Sequence, residues 1–305
     1  MTQLPPDNGM AAHSDFSSSW LALREPADHH ARDAQPLGET CRHWLMSQPR
    51  QGALRFLDLG CGSGNNLRYL APRLPPHQHW VMMDQDPALL AHVRDNGPRC
   101  HDHIDELQCL QRDLSDLARA LPDDLLAKTT MVTASALLDL VSEPWLETLI
   151  HRCASHRCAI WLAMSINGDN ALIDHDPHDS DRQLAAMDQK VQQWISLHQQ
   201  RDKGFNGALG TTAPGVARSL LEKSGYHVTI TQAPWQLDCR DQDQAHLAQS
   251  LVQGWLEAAL EQAPDQREPL MDWHARRQQH IAQGRVEITV GHTDLFAVAG
   301  FPETS

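Results

Sequence analysis

The stretch that decides the fold spans residues 54–66 and reads Leu-Arg-Phe-Leu-Asp-Leu-Gly-Cys-Gly-Ser-Gly-Asn-Asn. Its first half is mostly apolar and predicts a buried strand, whereas its second half carries a glycine at every other position. Glycine accommodates sharp turns and lets the backbone approach a ligand closely. The stretch therefore predicts a strand, a ligand-binding turn and a helix whose N-terminal N–H groups face that turn.

Outward from this stretch, the chain continues as an alternation of strands and helices. Such an alternation predicts the α/β class, with a doubly wound, mostly parallel sheet that helices cover on both faces. The last two strands are either separate or one strand with a bulge at Gly291. The strands that the apolar runs predict lie at 54–59, 79–84, 107–110, 130–134, 158–164, 226–232, 286–290 and 295–299.

Two longer segments interrupt this alternation. The first carries apolar side chains at spacings of three and four over 181–200, which is typical of an amphipathic helix, and the second has similar spacings. The N-terminal residues are polar and rich in Ser, Pro and Gly, which is typical of disorder. The predicted divisions are a disordered N-terminus at 1–19 and a single domain at 20–305, made of N-terminal helices at 20–50, a cofactor-binding core at 51–166 and cap insertions at about 167–212 and 239–284.

The composition restricts the partners of the chain. Its net charge is −14 at pH 7, and an acidic protein is repelled by phosphate backbones unless a basic patch counters the charge. Basic clusters are short, such as Arg276-Arg277, so DNA and RNA are disfavoured. No stretch approaches the roughly 20 apolar residues that span a membrane. The seven cysteines form no Cys-x-x-Cys pair, which indicates a reducing cytoplasm; the oligomeric state stays open.

The 19 histidines raise the question of a metal site. Residues 174–179 read Asp-His-Asp-Pro-His-Asp and offer both imidazole and carboxylate ligands. A metal site needs a defined ligand spacing on a rigid element, and this polar, Pro-containing run has none. We therefore favour a solvated loop here and expect no metal.

The glycine turn by itself does not choose its ligand, because dinucleotides, nucleotides and other cofactors all use such turns. The dinucleotide fingerprint is G-x-G-x-x-G, which the spacing of Gly60, Gly62 and Gly64 fits poorly. Asp58 precedes the glycines, where its charge would repel a pyrophosphate and suit a cationic amino group. Asp84 ends the second strand, where a carboxylate accepts hydrogen bonds from ribose hydroxyls. NAD enzymes also place an acid there, so Asp84 discriminates little.

At this point the sequence resembles the class I methyltransferase family. Residues 56–65 resemble that family's first motif and residues 81–87 its second, and the resemblance covers roughly 50–166. It implies a strand order of 3-2-1-4-5-7-6 with the last strand antiparallel. It also implies that S-adenosylmethionine lies over Gly60 to Gly64, with Asp84 on its ribose.

The resemblance extends to two later positions. After the third strand the family places a polar residue against the adenine amino group, and Asp113 is our candidate; the alternative for it is a surface helix cap. After the fourth strand the chain has Ser-Ala-Leu-Leu-Asp at 135–139 where the family often has an aromatic or an N-P-P-Y-type sequence, which argues against exocyclic-amine nucleic-acid methyltransferases. The predicted cofactor-binding residues are Asp58, Gly60, Cys61, Gly62, Gly64, Asn65, Asp84, Gln85, Asp113, Leu114 and Ser135.

Methyl transfer needs a base only when the nucleophile carries a proton of high pKa, and that base must reach the proton. Asp139 follows the fourth strand at the expected mouth of the site. His198 and Asp202 belong to a loop that mixes charges with Phe205 and has glycines at 204 and 207. This loop either covers the substrate or is a solvated helix end. The predicted catalytic residues are His198, Asp202 and Asp139.

Three further features have two interpretations each. In the N-terminal helix, Arg24 or Arg32 either pairs with the cofactor's carboxylate or is a surface charge. His292 and Asp294 interrupt the last strand as a turn, which we favour, or as a bulge aimed at the site. The tryptophans in or beside the second insertion either line an apolar pocket or form the core of its helices, which is commoner: Trp235, Trp255 and Trp273.

We therefore predict an enzyme that transfers a methyl group from S-adenosylmethionine to an O or N atom of a small molecule. The acidic charge and the large cap favour a small molecule over a polymer. The alternatives are a tRNA or protein methyltransferase, an NAD-dependent oxidoreductase and a non-catalytic S-adenosylmethionine-binding protein.

Overall fold

The computed structural model describes residues 17–49, 52–96, 102–176 and 181–300. The predicted disorder of the N-terminus falls largely outside these residues, and its last part was wrong, since the first helix begins at Ser18. The side chain of Ser17 caps that helix by accepting a hydrogen bond from the backbone N of Trp20 (3.2 Å). Part of the 174–179 run also lies outside the described residues.

The strands follow the predicted order. In the described part of the chain, seven strands form a sheet in the order β3-β2-β1-β4-β5-β10-β7, which equals the predicted 3-2-1-4-5-7-6. All neighbours are parallel except β10, which is antiparallel to both β5 and β7. The fold prediction is confirmed. The strands are β1 (Leu54–Leu59), β2 (Gln78–Asp84), β3 (Ile104–Gln111), β4 (Met131–Ser135), β5 (Ala159–Ile166), β6 (Ala171–Asp174), β7 (Tyr226–Gln232), β8 (Trp235–Asp238), β9 (Val286–Val290) and β10 (His292–Ala299).

Helices cover both faces of this sheet, and each face has its own apolar core. The core on one face continues into the cap, whereas the core on the other face is enclosed by the later helices of the repeat. The helices are α1 (Ser18–Asp33), α2 (Leu37–Ser47), α3 (Asn65–Leu70), α4 (Pro87–Asn96), α5 (Leu117–Ala120), α6 (Asp123–Leu126), α7 (Glu143–Ser155), α8 (Arg182–Gln199), α9 (Ala213–Lys223), α10 (Gln242–Gln262) and α11 (Arg267–Ala282).

A second, three-stranded sheet was not predicted. Its order is β6-β9-β8, and both pairings are antiparallel. Each of its strands continues a strand of the large sheet: β5 runs on into β6, β7 into β8, and β9 into β10 across Gly291. The small sheet therefore prolongs the β5-β10-β7 edge beyond the carboxyl ends of the parallel strands, where α8, α10 and α11 pack as the cap.

The prediction of a turn at His292 and Asp294 was wrong. Both side chains are buried within β10, and the register of β10 against β5 shifts between Thr293 and Leu295, so Asp294 sits at a bulge. The Asp294 carboxylate accepts a hydrogen bond from the backbone N of Met164 (2.8 Å). Burial lowers the pKa of His292 to about 3 and raises that of Asp294.

The three tryptophans are core residues, as the commoner interpretation held. Trp235, Trp255 and Trp273 are all buried. The indole N–H of Trp273 donates to Asp188 (2.8 Å) and that of Trp235 donates to Asp28 (3.0 Å), so both polar atoms are satisfied inside the fold. No helix within the described ranges has the length and apolarity to cross a membrane.

Candidate active site

The glycine turn after β1 presents bare backbone to a cavity. Gly60 and Gly62 have φ angles of +60° and +53°, a region that favours glycine. A Cβ built on Gly62 would lie 3.3 Å from the Leu21 side chain, and one on Gly60 would lie 3.3 Å from Leu137. The missing side chains therefore leave the floor of the cavity open to a ligand.

The cavity has a volume of about 800 Å³ and lies at the carboxyl ends of the parallel strands. Ligands bind at this edge in open α/β sheets. Helix α1 forms one wall, the segments after β2, β3 and β4 form the floor, and residues 203–205 close the remaining side. The lining consists of Leu21, Arg24, Gly60, Gly62, Asp84, Gln85, Asp86, Pro87, Leu89, Arg112, Asp113, Leu114, Ser115, Ser135, Ala136, Leu137, Leu140, Lys203, Gly204 and Phe205.

Asp84 lines this cavity at the end of β2. Its carboxylate accepts hydrogen bonds from the backbone N of Gly62 (2.8 Å) and of Asp86 (3.0 Å), which fix its position against the glycine turn. Each carboxylate oxygen has a second lone pair, so capacity for ligand hydroxyls remains. Burial raises the pKa of Asp84 above its usual value.

Asp58 lies beneath the turn and does not line the cavity. It is fully buried, and its Oδ1 accepts hydrogen bonds from Asn66 (2.7 Å) and Thr133 (2.5 Å). Its Oδ2 has no hydrogen-bond partner among the described residues. Burial raises the pKa of Asp58 to about 6, since desolvation outweighs these hydrogen bonds.

The other predicted cofactor residues likewise fall into those that line the cavity and those that lie outside its lining. Gln85, Asp113, Leu114 and Ser135 line the cavity together with the glycines and Asp84. Hydrogen bonds from the Ser115 side chain and from its backbone N (2.9 Å) lower the pKa of Asp113. The predicted residues outside the lining support the turn from below or behind: Asp58, Cys61, Gly64 and Asn65.

Helix α1 is held over the turn by a polar network. Asp28 accepts hydrogen bonds from Arg24 (3.0 and 3.1 Å) and from Asn65 (2.8 Å), and His29 contacts Asn65 (2.6 Å). Arg24 lines the cavity, whereas Arg32 is buried beneath it. Of the two arginines that the sequence offered for a carboxylate ligand, the structure therefore brings only Arg24 to the cavity.

The structure places His198 outside the cavity. The ring is buried between α8 and α10, with its Nε2 3.3 Å from Glu261. Asp202 is exposed, and its Oδ1 accepts hydrogen bonds from the backbone N of Gly204 (2.9 Å) and Phe205 (3.0 Å). These two catalytic roles stay predictions, and the contacts observed are those of a helix packing residue and a loop cap.

Asp139 is not itself part of the lining, but in the chain it lies between Leu137 and Leu140, which are. Its carboxyl is desolvated, and burial raises its pKa. Arg24 and Lys203 are close enough to favour its ionised form electrostatically. Among the three predicted catalytic residues, Asp139 is therefore the one that the fold brings to the site.

Sequence reasoning missed the apolar part of the lining. Leu137 and Leu140 follow β4 and Leu21 lies on α1, one turn before Arg24. For Leu137 the sequence did contain a signal, because it belongs to the segment after β4 where the site was expected. Leu21 could not be predicted, because its contact with the cavity depends on how α1 packs in the tertiary fold.

A family model described as a methyltransferase domain matches residues 56–157, which run from within β1 to the residues just after α7. The part of this chain that the model matches is therefore a methyltransferase domain. The predicted enzyme class and cofactor are thus confirmed: it is a methyltransferase that uses S-adenosylmethionine. The NAD-dependent alternative is set aside.

Several solved structures are similar to this methyltransferase. One is the cyclopropane synthase MmaA2 of Mycobacterium tuberculosis, with 13% identity over 95% of this chain and 96% of that chain and a TM-score of 0.47. Another is the magnesium protoporphyrin IX methyltransferase of Synechocystis PCC 6803 with bound S-adenosylhomocysteine, with 12% identity over 72% and 83% and a TM-score of 0.42. No curated protein matches the chain.

Proposed function

We propose that this methyltransferase methylates an O or N atom of a small molecule held between the glycine turn and residues 203–205. The observation that carries the proposal is the position of Asp139, a desolvated carboxyl beside the cavity. Burial supports such a group as a base, because a raised pKa makes a carboxylate a better proton acceptor. The net charge of −14 supports a small molecule over a nucleic acid.

The lining fits S-adenosylmethionine on three observations. Gly60 and Gly62 leave room where a Cβ would intrude, and the Asp84 carboxylate keeps lone pairs free for the ribose hydroxyls. Arg24 faces the cavity from α1, where a guanidinium suits the cofactor's carboxylate. Asp113 and Leu114 would border the adenine. When bound, the cofactor supplies a methyl group on a cationic sulfur.

The residues of the chain then position the nucleophile and accept its proton. With the cofactor held by these residues, a lone pair of the substrate O or N would take the methyl group, and the electrons of the broken carbon–sulfur bond would stay on the sulfur. The proton that the nucleophile loses passes to the Asp139 carboxylate. Leu137, Leu140 and Phe205 give this part of the cavity an apolar wall, which would reduce its hydration once the substrate is bound and strengthen the electrostatic interactions there.

The test is a methyl-transfer assay with radiolabelled S-adenosylmethionine and a panel of phenols, alcohols and amines of low molecular mass. We expect S-adenosylhomocysteine to form with at least one compound of the panel, and formation to fall in the Asp139→Asn variant. The proposal is contradicted if no small molecule accepts the label while unfractionated tRNA or a protein mixture does.

A further inference from the structure

The charged residues of the cavity lining are unevenly distributed. The carboxylates Asp84, Asp86 and Asp113 lie at the ends of β2 and β3 with one cation, Arg112, among them, on the side proposed for the ribose and adenine. On the opposite side, beside Leu137 and Leu140, the charged residues of the lining are the cations Arg24 and Lys203. The lining of the substrate side therefore contributes two cations, and the Asp139 carboxyl beside it is the acid that both of them influence.

The two cations differ in their partners. Arg24 donates two hydrogen bonds to Asp28, which neutralises its charge. Lys203 has no carboxylate within 4.0 Å among the described residues, and no hydrogen bond of its ammonium group is seen there. Desolvation and the neighbouring charge of Arg201 lower its pKa, and the charges of Glu261 and Asp139 offset this only in part. A partly buried ammonium group without a partner is unfavourable, and an anion in the cavity would relieve it.

The backbone around Lys203 is held in place rather than loose. Asp202 caps the turn through the backbone N of Gly204 and Phe205, and the φ of Gly204 is +97°. The Phe205 ring packs edge-on against Trp145, with ring centroids 5.6 Å apart. These contacts fix the side of the loop that carries Lys203 toward the cavity.

Apolar side chains surround this cation within the cavity. Phe205 adjoins it in the chain, and Leu21, Leu137 and Leu140 complete the nearby wall. An apolar wall with one free cation suits a molecule that combines an apolar skeleton with one acidic group. Such a molecule would also leave its nucleophilic atom free to approach Asp139.

From these contacts we infer that the substrate is an anionic small molecule with an apolar body, whose carboxylate or phosphate group is bound by the Lys203 ammonium. The inference rests on the proposed function and narrows its substrate class. Lys203 is a specificity-determining residue in this scheme, and it takes no part in holding the cofactor.

The test compares matched acids and amides by calorimetry. Benzoate, phenylacetate and 3-phenylpropionate are titrated against the protein, each beside its amide, and phenyl phosphate distinguishes phosphate from carboxylate as the preferred group. Titrations are run with and without saturating S-adenosylhomocysteine. A charge-assisted contact should make the preferred acid bind about tenfold to hundredfold more tightly than its neutral counterpart.

The variants assign that preference to one residue. Lys203→Met should abolish it without changing the affinity for S-adenosylhomocysteine, and Lys203→Arg should keep most of it. Arg201→Met is the matched control, because Arg201 lies two residues away, is exposed and pairs with Glu261 (2.6 Å). This control should retain the preference in full.

Three results would overturn the inference: no pair in which the wild type prefers the acid, a preference that persists in Lys203→Met, or a loss of S-adenosylhomocysteine binding in that variant. The last result would assign the ammonium group to the cofactor. Failure of the proposed function is recognised separately, as absent methyl transfer to every small molecule by a protein that still prefers the acids.

Discussion

Two buried arginines, Arg277 in the cap and Arg32 beneath the glycine turn, lie in different polar surroundings. Arg277 donates from Nε to Asp188 (3.0 Å), from Nη2 to the same carboxylate and from Nη1 to Asp174 (2.8 Å). Arg32 donates from Nη1 to Asn66 (3.1 Å), but its Nη2 has no hydrogen-bond partner among the described residues. Its Nε lies 3.4 Å from Asp294 without forming a hydrogen bond.

The region around Arg32 leaves further groups unsatisfied. Asp58 Oδ2, which lies under the same turn, also lacks a partner there. A buried polar group without a hydrogen bond is costly, so native structures keep few of them and these require an explanation. In the cap, Arg277 is therefore fully paired with carboxylates of the folded chain. Beneath the cavity, by contrast, Arg32 and Asp58 keep hydrogen-bonding atoms unpaired next to the site of ligand binding.

We expect the largest effect from removing Arg277 from its pairs with Asp188 and Asp174. Arg277→Met should lower the free energy of unfolding by about 3–5 kcal/mol, because it leaves the buried carboxylate of Asp188 and the half-buried one of Asp174 without their shared cation. Denaturant unfolding measures the loss. Arg276→Met is the control, since the half-exposed pair of Arg276 with Asp181 should contribute about 0–1 kcal/mol.

The corresponding variant beneath the cavity measures the difference between the two buried arginines. Arg32→Met should cost less than Arg277→Met, because fewer hydrogen bonds are lost around a cation that stacks on Tyr69 (3.8 Å). An equal loss of stability in both variants would remove the distinction between the two networks.

The second effect concerns the chemistry. Asp139→Asn should lower kcat about a hundredfold, the lower range for a lost general base, and leave the affinity for S-adenosylhomocysteine unchanged. The base acts as a carboxylate, so kcat should fall when the pH drops below the raised pKa of Asp139. The acidic limb of the pH profile should therefore lie above the usual aspartate value of about 3.9.

The matched control for that variant is Asp124→Asn, which changes an exposed carboxylate on α6 and should keep both kcat and the acidic limb. A wild-type profile without an acidic limb above the usual aspartate range, or full activity in Asp139→Asn, would show that another group accepts the proton.

The third effect concerns the cofactor. Asp84→Ala should weaken S-adenosylhomocysteine binding about tenfold to hundredfold, because charge-assisted hydrogen bonds to the ribose are lost. Calorimetry on the purified variant measures it, with Asp95→Ala, an exposed residue of α4, as the control. Unchanged affinity in Asp84→Ala would contradict the assignment of Asp84 to the ribose.

The smallest effect is expected at His198. Because its ring faces Glu261 between two cap helices, His198→Gln should change kcat no more than about twofold and stability by roughly 1 kcal/mol. Steady-state kinetics measures the change in kcat, and thermal unfolding measures the change in stability. A drop of kcat by more than about tenfold at unchanged cofactor affinity would restore His198 as the base and refute the role of Asp139.

The parts of the fold that the sequence predicted are those encoded by contiguous residues. The glycine turn and Asp84 each lie at the end of an apolar run, so the local sequence predicts both the strands and the edge of the sheet at which a ligand binds. The small sheet escaped prediction because β6 and β8 are four residues long and pair only through distant β9. Asp294 was assigned to a turn since a charge within a strand is unusual, and its burial depends on Arg32 at the far end of the chain.

In the candidate site, the orientation of the loop at 201–207 was the main uncertainty. Its composition left open whether it covers the substrate or is a solvated helix end, and the sequence offered His198 and Asp202 as its catalytic residues without singling out Lys203. The structure decides this through Asp202, whose hydrogen bonds turn the following residues toward the cavity. Side-chain capping of this kind depends on backbone geometry, which residue types alone do not specify.

The shared edge of the two sheets has a consequence for how the site exchanges its ligands. Three chain segments cross from one sheet to the other side by side, and hydrogen bonds join them: Asn167 N donates to Gly291 O (3.1 Å), and Ala233 N donates to His292 O (2.8 Å). A side chain at Gly291 would collide with Asn167. Tilting the cap as one body would bend three bonded strands at once, so we expect substrate and product to exchange without a hinge motion of the cap.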